Sequence, residues 1–186
     1  MVVLHTLPAP ESDERLMVRV QSGDRRAFEE IYARWRDPVF QFLLRARLDV
    51  QAADDALQET FVRVYEQSHR YDPARPFRPW LYTLAYRFGV DQRRLLSWFR
   101  DELPPDSERL GTLPGADPTR IAVAQVLARL PQRQRTVLAL AADGLTGPEI
   151  GVVMNLSDGS ARNLLTEARS AFRAAWDPPE VNHGIA

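Results

Sequence analysis

Between Phe99 and Pro118 the chain loses all periodicity: the stretch DELPPDSERLGTLPGADP holds four prolines and two glycines. Proline removes a backbone donor and glycine gives up the most freedom on ordering, so this stretch is expected to be a flexible linker. Its two arginines against five acids make it net acidic. The linker divides a chain of 186 residues into two pieces, each large enough for a small core. On both sides apolar residues recur at helical spacing, and strand-like alternation is missing. The expected fold class is all-α: a first helical domain over 11–98, a linker over 99–118, a second helical domain over 119–177 and a disordered tail over 178–186.

In the first piece Leu16, Val20, Ala27, Phe28, Ile31, Tyr32, Trp35, Val39, Phe42 and Leu43 follow the helical period. Ser22-Gly23 interrupts the run and Asp24 is suited to cap the next helix. Asp37-Pro38 predicts another restart, since proline is tolerated in a first turn. A further helix from Ala52 to Gln67 carries Ala53, Leu57, Phe61 and Val64 on one face and Asp55, Glu59 and Glu66 on another. Pro73, Pro76 and Pro79 predict a loop from Ser68 to Pro79, with a helix from Trp80 to about Trp98 behind it.

All 24 basic residues are arginines, yet the formal net charge is -1, so any contact with nucleic acid must be local. Cysteine is absent and His5, His69 and His183 are scattered, which argues against a metal site. There is no paired nucleophile and base and no glycine-rich phosphate loop, so neither catalytic residues nor a cofactor are expected. The N-terminal MVVLHTLPAP lacks the features of a signal peptide, and no apolar run approaches the roughly 20 residues that span a bilayer. A cytoplasmic protein without membrane insertion is expected.

Three local patterns remain. From Ser68 to Arg100 seven arginines face only Asp72 and Asp91, interleaved with Tyr71, Phe77, Trp80, Tyr82, Tyr86 and Phe88. Basic residues among aromatics suit single-stranded nucleic acid, because bases stack on rings for roughly 1–3 kcal/mol each. Core packing explains Trp80, Leu81 and Leu84 better, whereas Arg75, Phe77 and Arg78 fall in the predicted loop. The acidic face of Asp54, Asp55, Gln58 and Glu59 fits either plain solvation or an arginine-rich partner. Finally, from Leu145 the sequence LTGPEIGVVMNLSDGSARNLLTEARSAF predicts two helices around a tight turn. Thr146 with Glu149 forms a capping pair, Asn155 suits a left-handed turn, and Ser157 suits the second cap. Ala161, Leu165, Ala168 and Phe172 would be buried, leaving Asp158, Ser160, Arg162, Asn163, Thr166 and Arg169 outside. Such a hairpin either packs on a bundle or reads DNA, with Ser160, Arg162 and Asn163 near base edges and Arg169 near phosphate.

In order and spacing these segments resemble extracytoplasmic-function (ECF) sigma factors from about Glu14 to Trp176. SGDRRAFEEIYARW, DDALQETFVRVY and FRPWLYTLAYRFGVDQRR resemble the conserved stretches of sigma region 2. LPQRQRTVLALAADGLTGPEIGVVMNLSDGSARNLLTEAR resembles region 4. The resemblance implies a factor that binds core RNA polymerase and directs promoter-specific initiation. Asp55, Gln58, Glu59 and Phe61 would contact polymerase. Arg75, Phe77, Arg78, Tyr86, Arg87, Arg93 and Arg94 would serve the minus-ten element as its non-template strand melts. Ser160, Arg162, Asn163 and Arg169 would hold the minus-thirty-five duplex. An anti-sigma factor is a further implied partner. Four positions depart from the family pattern: Tyr86-Arg87 stand where Arg-Asn is usual, and Leu164 and Glu167 replace frequent arginines. A stand-alone helix-turn-helix regulator, or a degenerate relative that does not initiate transcription, is the alternative.

Overall fold

The computed structural model describes residues 11–47, 50–91 and 118–176, and among them every regular element is helical. Helix α1, Asp13–Gln21, starts at Ser12, whose side chain accepts the Arg15 N–H at 3.4 Å. Asp13 and Glu14 in its first turn favour the positive end of the helix dipole. Asp24 does cap the next helix: its Oδ1 accepts the N–H groups of Arg26 at 2.9 Å and Ala27 at 3.3 Å, while its Oδ2 holds Arg19 at 2.7 Å.

Helix α2, Arg25–Arg47, corrects one expectation, because it runs straight through Pro38. A proline inside a helix costs about 3 kcal/mol. Against that, Ile31, Trp35, Val39, Phe42, Leu43 and Ala46 form one buried stripe on both sides of the proline. Each large side chain of the stripe contributes about 1.5–3 kcal/mol when buried, so the stripe outweighs the lost hydrogen bond. Pro38 itself faces solvent.

Helix α3, Val50–Glu66, buries Ala53, Ala56, Leu57, Phe61 and Val64 against the α2 stripe. A single 3-10 turn follows at Ser68–Arg70. Helix α4, Phe77–Ala85, begins three residues earlier than the prolines suggest. Pro79 lies in its first turn, where backbone N–H groups have no partner within the helix, so it costs no hydrogen bond. The Phe77 N–H is taken instead by Glu14 Oε1 of α1 at 3.0 Å. Beyond Ala85 the helix widens into a π-helical turn, Tyr86–Asp91. The predicted continuation to Trp98, with Arg93 and Arg94, lies outside the described residues, as do residues 99–117 of the predicted linker and the 178–186 tail.

The second half comprises α5 (Pro118–Arg129), α6 (Gln132–Ala142), α7 (Gly147–Met154) and α8 (Asp158–Ala175). Pro131 sits at the N-cap of α6. Arg135 closes the end of α5, donating to the Leu130 carbonyl at 2.8 Å and the Ala128 carbonyl at 3.4 Å. The two halves are in contact: α2 packs on α6 and α4 on α7, and their buried side chains join in one apolar cluster.

Candidate nucleic-acid and partner interfaces

The α7–α8 unit is a helix-turn-helix built by local chemistry. Glu149 Oε2 accepts the Thr146 backbone N–H at 2.7 Å and its hydroxyl at 2.8 Å, closing the capping pair at the start of α7. Asn155 ends α7 at φ 52 and ψ 51, a left-handed conformation that asparagine tolerates better than other side chains. Ser157 then accepts the Ser160 N–H at 3.2 Å and starts α8. With Ala161 and Ala168 buried, α8 turns Asp158, Ser160, Arg162, Asn163, Thr166 and Arg169 to solvent on one polar surface. Arg162 is paired with Asp158 at 2.6 Å in an exposed i,i+4 bridge. Such an exposed i,i+4 bridge holds Arg162 by only about 0.3–0.5 kcal/mol.

On α3 the side away from the core carries Asp54, Asp55 and Gln58 in solvent and Glu59 half-buried. Gln58 Nε2 donates to Asp54 at 3.1 Å, and Glu59 holds Arg63 at 2.7 Å. Phe61 is not on this surface: it is only 3% exposed, with its ring centroid 4.8 Å from that of Tyr32 in an edge-on pair. The third region is the start of α4. Arg75 and Arg78 are exposed there, and Arg75 lies 3.5 Å from Asp72. Phe77, expected in a loop, has no exposed surface and packs against Tyr71, Trp80 and Trp35 with centroids 5.7, 5.8 and 6.0 Å away.

Residues 31–99 match the Sigma-70 region 2 family and residues 120–172 the Sigma-70, region 4 family. The chain is 30% identical to the RNA polymerase sigma factor CnrH of Cupriavidus metallidurans, over 90% of this chain and 96% of that one. It is 28% identical to the ECF RNA polymerase sigma factor SigW of Bacillus subtilis, over 83% of this chain and 91% of that one. The solved structure of CnrH in complex with the cytosolic domain of CnrY superposes with a TM-score of 0.68, at 28% identity, covering 88% of this chain and 96% of that one. The chain is an ECF-type sigma factor.

This sigma factor therefore directs transcription initiation by RNA polymerase, and its family is not one of enzymes. Among the described residues no helix is long and apolar enough to cross a membrane. The resemblance in the sequence pointed to the family, but not to all of the surface beside the acidic helix. Tyr32 and Tyr65 are 38% and 54% exposed and Val62 is 48% exposed, so apolar groups border the carboxylates of the sigma factor's α3. The signal was present in the spacing: Phe61, Val62, Val64 and Tyr65 are too many apolar neighbours for one buried stripe. Tyr86 is half-buried and Arg87 exposed in the π-helical turn. A π-helical turn carries more residues than an α-helical one, which displaces the faces of the residues after it. Leu164, one of the departures from the family pattern, is half-buried against the core rather than standing free on the α8 surface.

Proposed function

We propose that this sigma factor docks on core RNA polymerase through α3 and reads two separate promoter elements with its two halves. Asp55, Gln58 and Glu59, bordered by Tyr32, Val62 and Tyr65, offer a partner both charge and apolar area, with Phe61 supporting them from beneath. Rings and aliphatic groups at the centre of an interface and charges at its rim are the usual composition of a stable contact. Arg75, Arg78 and Arg87 serve the minus-ten element together with Tyr86, Arg93 and Arg94, while Phe77 holds the start of α4 in place. Ser160, Arg162, Asn163 and Arg169 meet the minus-thirty-five duplex in its major groove. The observation that carries this reading is the polar face of α8, presented by a capped helix-turn-helix whose buried side is alanine. An anti-sigma factor is a further partner, since CnrH is described in complex with CnrY.

Run-off transcription with core polymerase and genomic fragments tests it. The wild-type chain yields specific transcripts, and the double variant Asp55→Arg, Glu59→Arg loses core binding while keeping its helical content. Core binding that survives both charge reversals overturns the docking assignment. Footprints that do not change on Arg162→Ala overturn the upstream one.

A further inference from the structure

Between Tyr71 and Phe77 the sigma factor holds a turn that adds nothing to its core. Asp72, Pro73, Ala74, Arg75 and Pro76 are all exposed, whereas the aromatic residues at both ends are buried and meet edge-on with ring centroids 5.7 Å apart. Solvated residues gain little from burial, so the order of the turn between its two anchors depends on polar ties. Several are present. The Arg75 N–H donates to the Asp72 carbonyl at 3.0 Å, and the Ala74 N–H to Asp72 Oδ1 at 3.0 Å. From beneath, the Tyr71 hydroxyl donates to the Arg75 carbonyl at 2.5 Å. Burial, and after it the charges of Glu14, Asp13 and Asp72, pushes the Tyr71 phenol up, which keeps it a donor at neutral pH.

Helix α1 grips the turn on both flanks. Gln21, its last residue, donates from Nε2 to the Tyr71 carbonyl at 2.7 Å and to the Ser68 carbonyl at 2.9 Å, 50 and 47 positions away. Behind the turn the Phe77 N–H is taken by Glu14. Gln21 is itself exposed, so water replaces much of what its removal takes away and its contribution to global stability is small. What it fixes is where the turn stands.

We infer that Gln21 and Tyr71 are positioning residues for promoter discrimination: they hold the 72–76 turn, and with it the Arg75 guanidinium, in one shape before DNA arrives. The inference rests on the reading that Arg75 serves the minus-ten element. A rigid turn cannot move to relieve the misfit of a wrong base, so the misfit is felt as lost affinity; a loose turn adapts and tolerates it. Holding the turn in advance also removes the entropy cost of ordering it on binding. Tyr71, only 3% exposed, and Gln21, engaged by two main-chain carbonyls, act through the turn rather than on the DNA.

The test uses the full chain with core polymerase on a promoter taken from the specific run-off transcripts and randomised across its downstream element. Its readout is the ratio of transcription from the best element to that from each single-base change. Arg75→Ala marks the positions that the turn reads. At those positions Gln21→Ala and Tyr71→Phe lower the ratio roughly two- to tenfold, the factor that one hydrogen bond is worth, while core binding and the thermal midpoint stay near wild type. Gln21→Lys, whose ammonium keeps donors for both carbonyls, retains most of the discrimination. Amide exchange on the free factor reads the cause, since the Ala74 and Arg75 N–H groups exchange faster in Gln21→Ala and Tyr71→Phe. Wild-type ratios in both of these variants overturn the positioning role. So does a uniform fall in transcription from every element with a lowered thermal midpoint, which is what lost structural support alone would give. Wild-type ratios throughout in Arg75→Ala overturn instead the reading of Arg75 on which the inference stands.

Discussion

The Glu14 carboxylate of α1 accepts the backbone N–H of Phe77, 63 positions along the chain, at 3.0 Å. Pro76, at the N-cap of α4, supplies no side-chain acceptor, so a residue from another helix performs the capping. Removing it in Glu14→Ala should destabilise the sigma factor by about 0.5–2 kcal/mol. Burial opposes ionisation of Glu14, but the N–H groups of Phe77 and Glu14 and the Ser12 hydroxyl together hold its pKa below the ordinary value. A lowered carboxylate pKa adds stability above the ordinary value, and that stability is lost as pH falls through the lowered one. Urea titrations of wild type and Glu14→Ala should therefore differ at pH 7 and converge in acid. An equal gap at both would show that the charge contributes nothing.

Gly89 lies in the π-helical turn where an added Cβ would stand 2.4 Å from Leu43 Cδ2 and 3.3 Å from Ala56 Cβ. Leu43 is fully buried, so its side chain must shift within the core to admit the new methyl group. Gly89→Ala should cost about 1–3 kcal/mol through overpacking, seen as a lower denaturant midpoint with an unchanged slope. An unchanged midpoint would mean that the π-helical turn, rather than the core, gives way.

Glu167 is exposed on α8, four residues beyond Asn163. Glu167→Arg should add a phosphate contact and steepen the logarithmic salt dependence of upstream-element binding by roughly one unit, since each neutralised phosphate contributes about 0.9. Leu164→Arg should behave differently, because Leu164 is half-buried and its replacement loses packing. Its thermal midpoint should fall. Binding isotherms at several salt concentrations together with melting curves separate the two variants, and an unaltered slope for Glu167→Arg removes that position from the phosphate surface.

Asn155 holds φ 52 in the turn of the helix-turn-helix. Asn155→Gly should be neutral or slightly stabilising, whereas Asn155→Val should cost about 1–2 kcal/mol, because a β-branched side chain crowds the carbonyl in that conformation. Equal stability of the two would show that the turn relaxes out of the left-handed region.

The helical class, the caps at Asp24 and Ser157, the left-handed Asn155 and the polar face of α8 could all be read in the sequence. Each depends on neighbours within a few residues, whose backbone and spacing dictate the interaction. The decisions that needed the tertiary structure involve residues far apart in the chain. Pro38 stays inside α2 because a stripe on either side of it is buried against other helices. Phe77 leaves the surface because Tyr71, Trp80 and Trp35 enclose it and Glu14 caps its helix. Asp143 reads locally as one more acid after a helix, and only the packing of α2 and α4 brings Arg45 and Tyr82 to it. Local spacing specifies which elements form and which faces they offer. Which faces meet is decided by desolvation of side chains that the chain brings together only after it has folded.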